Sequence, residues 1–342
     1  MTIDIGVVAS GGGGRRRARR ATVAGADTDV EAVLLRALDG GGCDPGRLAA
    51  LTRAQQKVLD ARIRSLLVVL RGQERESLAR LLDRTGELEA ARRRSQSRRP
   101  GARAVSGKAL GEARDPGAWC ALLDLLHDPH PEVRSAAAAA LGRFGNPAAV
   151  SPLLACVESG SIPVDVDVVA DAIVEIRTCP VSVLRLGLQS SGPGRRAVSV
   201  ELLGRFQALE ATDDVIVVLG ADPVAEVRAR SARCLGRLGT PRAVEPLLAC
   251  VRDAPVVVRA QAIWALGEIG SPDAIPALRG IVREPSPRMG SLAALALLAM
   301  GDHGVAELSR IAEGGGPPAT IAAQVLASGP VVSHPCPNLV AP

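Results

Sequence analysis

From Asp222 to Asp253 apolar and polar positions alternate with a helical period, and they do so twice. Val227, Ala232, Leu235 and Leu238 fall near a 3.6-residue spacing and predict one amphipathic helix. Asp222 offers a carboxylate to the first free backbone N–H groups, and Pro223 suits the first helical position. Gly239 follows the stripe, where a left-handed residue ends a helix. Thr240-Pro241 predicts the cap and first turn of a second helix with Val244, Leu247, Leu248 and Val251 on its apolar face. Two short helices joined by a tight turn cannot bury both stripes alone, so they must stack on neighbours.

The unit recurs. Leu110, Leu141, Ile173, Leu203, Leu235, Leu266 and Leu297 occupy one position, 30 to 32 residues apart. A glycine follows it in five copies (Gly111, Gly142, Gly204, Gly236, Gly267). In the same five an arginine stands seven residues before it (Arg103, Arg134, Arg196, Arg228, Arg259). Three residues after it come Phe144, Ile176, Phe206, Leu238, Ile269 and Met300, with Ala113 the exception. The copies at Ile173 and Leu297 lack both the Arg and the Gly, and Ala319 to Gly329 predicts one capping helix. The pattern predicts an all-α fold of about seven stacked helical pairs. The repeated arginines are expected to form a ladder, each pairing with an acid of the preceding turn or capping its carbonyls.

The remaining chain divides by composition. Residues 1–26 read as a disordered basic tail, with a short apolar start, a glycine run and the cluster Arg15, Arg16, Arg17, Arg19, Arg20. Its apolar start is far short of the ~20 residues a membrane span needs. Residues 27–97 read as four diverged helices capping the stack: 27–38, 45–70, 74–84 and 87–94. The Arg-rich run 92–99 reads as a solvated connector, residues 101–329 as the repeats, and residues 330–342, rich in proline, as a disordered tail.

Composition narrows the chemistry. Two Trp, two Phe and no Tyr suit a thin core of small helices and leave little to stack on a nucleic-acid base. The positive excess lies in the first hundred residues and the repeats are close to neutral, which argues against a nucleic-acid-binding stack. Seven cysteines, an odd number without a CxxC spacing, read as reduced, buried thiols of a cytoplasmic protein. His127 and His130 share one turn, but the sequence positions no further ligands, so no metal or cofactor is expected.

The DPxxxVRxxAxxxLGxxG pattern, with its period near 31 residues, resembles the short bacterial HEAT repeat, also called the phycobilisome-lyase-type HEAT-like repeat. The resemblance covers residues 101–329 and implies a right-handed α-solenoid of the armadillo type. Families sharing the motif include bilin lyases, deoxyhypusine hydroxylases, a DNA-glycosylase type and many scaffolds. The hydroxylases bind iron through His-Glu pairs, and no His-Glu dipeptide occurs in this chain. In such solenoids the second helices line the concave face. Alignment there brings Glu158, Arg252 and Arg283 to one position and Leu154, Leu248 and Arg279 to another. With Arg310 these arginines are expected to form a basic strip for an acidic peptide or protein surface.

The expected function is therefore a non-catalytic scaffold presenting the concave surface to a protein or peptide partner. Two alternatives stay open. One is a bilin-lyase-like or chaperone-like auxiliary enzyme, which the resemblance permits. The other is a membrane-surface or nucleic-acid binder using Arg15 to Arg20, peripheral on the inner face of the membrane.

Overall fold

The computed structural model describes residues 28–39, 44–158, 164–253 and 255–329. The basic tail, with Arg15, Arg16, Arg17, Arg19 and Arg20, and residues 330–342 lie outside them. The described residues hold twenty α-helices and no strand. The chain forms two compact units that divide between Phe144 and Gly145.

The first unit contains α1 (Thr28–Leu38), α2 (Pro45–Ala50), α3 (Arg53–Val69), α4 (Gly72–Arg84), α5 (Glu87–Arg94), α6 (Pro100–Ala113), α7 (Trp119–Leu125) and α8 (Pro131–Phe144). Sequence periodicity runs α2 and α3 together, but the chain breaks at Leu51-Thr52. Thr52 and Gln55 form a reciprocal capping box that starts a new helix there. Gly86, at φ +78°, separates α4 from α5. Arg92 and Arg94 lie in the last turn of α5, as the 87–94 reading expects, and Arg93, Arg94, Arg98 and Arg99 of the Arg-rich run are exposed. Arg92 clasps Asp115 through two bonds of 2.6 Å, and Arg94 reaches Glu87 at 2.8 Å. α5 packs on both α4 and α6, and α6 lies along α8.

The second unit contains α9 (Val150–Cys156), α10 (Val166–Ile176), α11 (Val181–Gly187), α12 (Pro193–Arg205), α13 (Thr212–Ala221), α14 (Ala225–Leu238), α15 (Val244–Cys250), α16 (Val256–Ile269), α17 (Ile275–Val282), α18 (Pro287–Ala299), α19 (Asp302–Ala312) and α20 (Gly316–Ser328). The even-numbered first helices α10 to α20 pack each on the next, and each second helix packs on the first helix that follows it. Helix α14 starts at Ala225, two residues after the predicted proline. Asp222 therefore does not cap it: Val224 is the N-cap residue and no side chain caps the helix, and Asp222 instead accepts the Val224 N–H at 2.9 Å in the turn before it. Pro241–Ala243 forms a 3₁₀ turn ahead of α15, and Gly239, at φ +65°, ends α14 as expected.

All seven repeat-marker residues are fully buried. A second buried row comes from the second helices: Leu122, Leu153, Leu184, Val215, Leu247, Leu278 and Leu308, all at 0% exposure. The glycine after the marker has a packing role. A Cβ on Gly111 would stand 2.6 Å from the Cα of Ala140, and one on Gly236 would stand 2.8 Å from the Cα of Ala265. Successive first helices touch backbone to backbone there, which also keeps the residue before the next marker small.

Candidate functional site

Three of the five repeated arginines, Arg103, Arg196 and Arg228, form clips between turns, whereas Arg134 bonds the Asp128 and Pro129 carbonyls and meets no acid among the described residues. Arg196 donates from Nε and Nη2 to the Asp222 carboxylate at 2.6 and 3.0 Å, and its Nη1 reaches the Ser190 carbonyl at 2.9 Å. Arg228 grips Asp253 in the same way at 3.0 and 3.1 Å, and its Nη1 reaches the Asp222 carbonyl at 2.9 Å. Arg103 repeats the arrangement with Asp128 at 2.5 and 2.8 Å and with the Ser97 carbonyl. The expected ladder is thus corrected in direction. Its acids come from the following turn, 25 or 26 residues on, and only the carbonyls belong to the preceding one. Burial alone would raise the Asp222 carboxyl. The bonds from Arg196 and the Val224 N–H outweigh it and hold the group below its ordinary range. These arginines are consumed within the stack and are not open to a partner.

The second helices carry what is left exposed. Counting from the buried row gives a register for their outer face. One residue on come Arg185, Ile216, Leu248 and Arg279. Two residues on come Ala155, Leu186, Val217, Ala249, Gly280 and Arg310, all exposed. Five residues on come Glu158, Gln189, Gly220, Arg252, Arg283 and Glu313. Leu186 and Val217 are 68% and 66% exposed, high for large aliphatic side chains. Arg252 and Arg283 are exposed and have no carboxylate partner among the described residues. Arg279 and Arg310 converge on the buried Glu307, at 3.5 and 2.5 Å. Glu158 is engaged by Ser190 and lies 3.7 Å from Arg195. On the same face Arg185 pairs with Asp214 at 2.5 Å and Arg242 with Asp213 at 2.9 Å.

A profile of HEAT repeats matches residues 87–173, 181–257 and 244–326, more than half of the chain. The chain belongs to the HEAT-repeat family. No curated protein matches it. Among solved structures it is similar to the Kap95:Nup1 complex, with a TM-score of 0.53 and 13% identity over 88% of this chain and 48% of that one. It spans about half of that solenoid. It is also similar to the complex of CpcE and CpcF of phycocyanin lyase from Nostoc sp. PCC7120, with a TM-score of 0.37 and 22% identity over 70% and 94%. Human deoxyhypusine hydroxylase follows at 0.33 and 19% over 83% and 99%. At these identities the likeness is one of fold.

The HEAT-repeat stack also holds a charge cluster that motif reading passes over. Glu201 of α12 is 2% exposed, yet it meets four arginines. Arg233 bonds to it at 2.5 Å, Arg205 and Arg237 each at 2.8 Å, and Arg230 lies 3.6 Å away. Arg230 also grips Asp167 of α10, and Arg205 bonds Asp171. Burial pushes the Glu201 carboxyl up, but the charge of Arg233 and the bonds from Arg237 and Arg205 prevail and bring it down to about 2. The signal in the sequence was a swap of charge at one repeat position: Asp171, Glu201 and Arg233 stand two residues before successive markers. Opposite charges there brace three first helices.

Other candidates fall into structural roles. Cys156, Cys234 and Cys250 are buried as expected, whereas Cys120 is exposed on α7. Burial pushes the Cys234 thiol up to about 12. His130 is drawn to the Arg103–Asp128 clip, its Nδ1 3.3 Å from Arg103 Nη2. Trp119 packs on Phe144 with ring centroids 5.3 Å apart. In the first unit a groove of about 520 Å³ lies among α3, α5 and α6, lined by Arg64, Val68, Glu87, Arg94, Val105 and Lys108. Its Glu87 is shared by Arg64 and Arg94. No helix among the described residues is long and apolar enough to cross a membrane.

Proposed function

We propose that this HEAT-repeat protein is a non-catalytic scaffold whose second-helix face receives an acidic protein or peptide partner through Arg252, Arg279, Arg283 and Arg310. One observation carries the reading. Arg252 and Arg283 share a repeat position, are exposed, and lack a carboxylate partner among the described residues, whereas Arg103, Arg196 and Arg228 of the first helices are spent on internal clips. Arg279 and Arg310 add to them, since two cations share the single carboxylate of Glu307. Binding at such a face needs surface complementarity and no reactive group.

The test is affinity capture of the tagged chain from its native cells, with mass spectrometry of what co-purifies. The expected result is one protein held in stoichiometric amount by the wild type and by a version lacking residues 1–26. Arg252→Glu with Arg283→Glu should lose it while the thermal transition is unchanged. Undiminished capture by that double variant would refute the assignment of the face. Capture of only lipid or nucleic acid, lost with residues 1–26 or at raised salt, would move the function to the basic tail.

A further inference from the structure

The second-helix face changes character along the stack. Its exposed row starts with Ala155, Leu186 and Val217, continues with the small Ala249 and Gly280, and ends at Arg310. Beside its small end stand Arg252, Arg279 and Arg283, and beside its apolar end the arginine is neutralised, Arg185 being paired with Asp214. On α11, α13, α15 and α17, Glu245 is the one acid without an arginine partner among the described residues. Gly280 has open space where a side chain would point, so a backbone can approach closely there.

We infer that the partner segment is an extended peptide of polyproline-II form and two-part chemistry, with apolar side chains on Leu186 and Val217 and, further along the same segment, acidic side chains on Arg252, Arg279 and Arg283. This rests on the scaffold reading above and specifies its ligand. Neighbouring packed helices are about 8–10 Å apart, and a polyproline-II chain returns to the same face every three residues, about 9 Å along its axis, so each copy meets every third residue. The recognised pattern is two aliphatic residues three apart, then acidic residues continuing the same three-residue step. The apolar contacts supply area and the acids fix the direction in which the segment lies. A uniformly acidic segment would leave Leu186 and Val217 in water, and a uniformly apolar one would strip water from unpaired guanidinium groups.

A phage-displayed library of random 16-residue peptides, panned against the full chain, tests the inference. The expected result is enrichment of the aliphatic–acidic pattern. A synthetic peptide from the selection, followed by fluorescence anisotropy, should bind at least tenfold more weakly to Leu186→Ser/Val217→Ser. It should lose as much to Arg279→Glu/Arg283→Glu, and only the charge-dependent part should fall with salt. All four positions are exposed or half-exposed, and unchanged thermal transitions check that the variants fold. Failure to enrich any peptide, or enrichment of peptides without acids, would overturn the inference. So would binding by acids alone that Leu186→Ser/Val217→Ser leaves intact, although that outcome would spare the basic strip. Loss of the strip itself shows separately, as native capture insensitive to Arg252→Glu/Arg283→Glu.

Discussion

Gly236→Ala adds one methyl group where α14 meets α16. The new Cβ would stand 2.8 Å from the Cα of Ala265 and 2.9 Å from both its Cβ and the Cζ3 of Trp264. Carbon pairs are most favourable at ~3.5–4.0 Å, so three contacts are each short by more than half an ångström. Two of the atoms belong to the neighbouring residue's backbone root and cannot rotate away, so the helices must part. Overpacking of this kind costs about 1–3 kcal/mol. Against it stands the better helix propensity of alanine, about 1 kcal/mol. The net expectation is a loss of about 0–2 kcal/mol. Gly280→Ala is the control, because nothing lies within 4 Å of its new methyl group. It keeps the propensity gain alone, so it should stabilise by about 0.5–1 kcal/mol. Guanidinium unfolding followed by circular dichroism at the helix band measures both. Midpoints that shift in opposite directions support the backbone contact, and a Gly236→Ala midpoint that rises with that of Gly280→Ala refutes it. Ala265→Gly should cost less when added to Gly236→Ala than when made in the wild type, because it removes one of the three clashing atoms.

The Glu201 cluster gives a pH signature. Its folded carboxyl, at about 2, lies below its ordinary value of 4.5. Its contribution is therefore complete above the ordinary value and is lost as pH falls from about 4.5 towards 2. Glu201→Gln should cost on the order of 3 kcal/mol at neutral pH, and the gap from wild type should close on acidification; a gap constant from pH 6 to pH 2 in denaturant titrations counts against it. Asp222→Ala removes both the grip of Arg196 and the side-chain bond that shapes the turn before α14, so a loss of about 2–4 kcal/mol is expected by the same unfolding assay, well above that for exposed Asp273→Ala. Brief iodoacetamide treatment of the native chain should label Cys120 long before Cys234, as read by peptide mass mapping; equal labelling would contradict their exposures.

The helical pairs were legible because each copy repeats the same local problem: an apolar marker, a turn residue and a short second stripe. Gly236 was visible as a repeated residue, but its reason lay on another copy, in Ala265, and appears only when first helices are set side by side. The arginines were legible as a ladder, but their acids were sought on the wrong side. A contact across 26 residues, such as Arg196 to Asp222, is not separable by spacing alone from one to the preceding turn. The break at Thr52 escaped because apolar periodicity runs through it, while the capping box with Gln55 is a two-residue signal. On the second-helix face, alignment places Arg252 and Arg283 at one position, while their lack of carboxylate partners is visible only in the structure. Leu186 and Val217 read as ordinary stripe residues until their exposure is known. The Glu201 cluster draws on α10, α12 and α14 at once, and no single copy shows it.

The clips also have a mechanical meaning. Asp222 is held through its carboxylate by Arg196 and through its carbonyl by Arg228, and Asp253 is held likewise by Arg228 and Arg259. The arginines and turns are therefore linked in series, like the catches of a zip fastener. A chain drawn out by its ends would meet these catches one after another. Each opening would free a loop of 25 or 26 residues, roughly 80–90 Å of extended chain. Tension would be relieved in regular steps set by the Arg–Asp spacing, whatever the outer face of each copy carries.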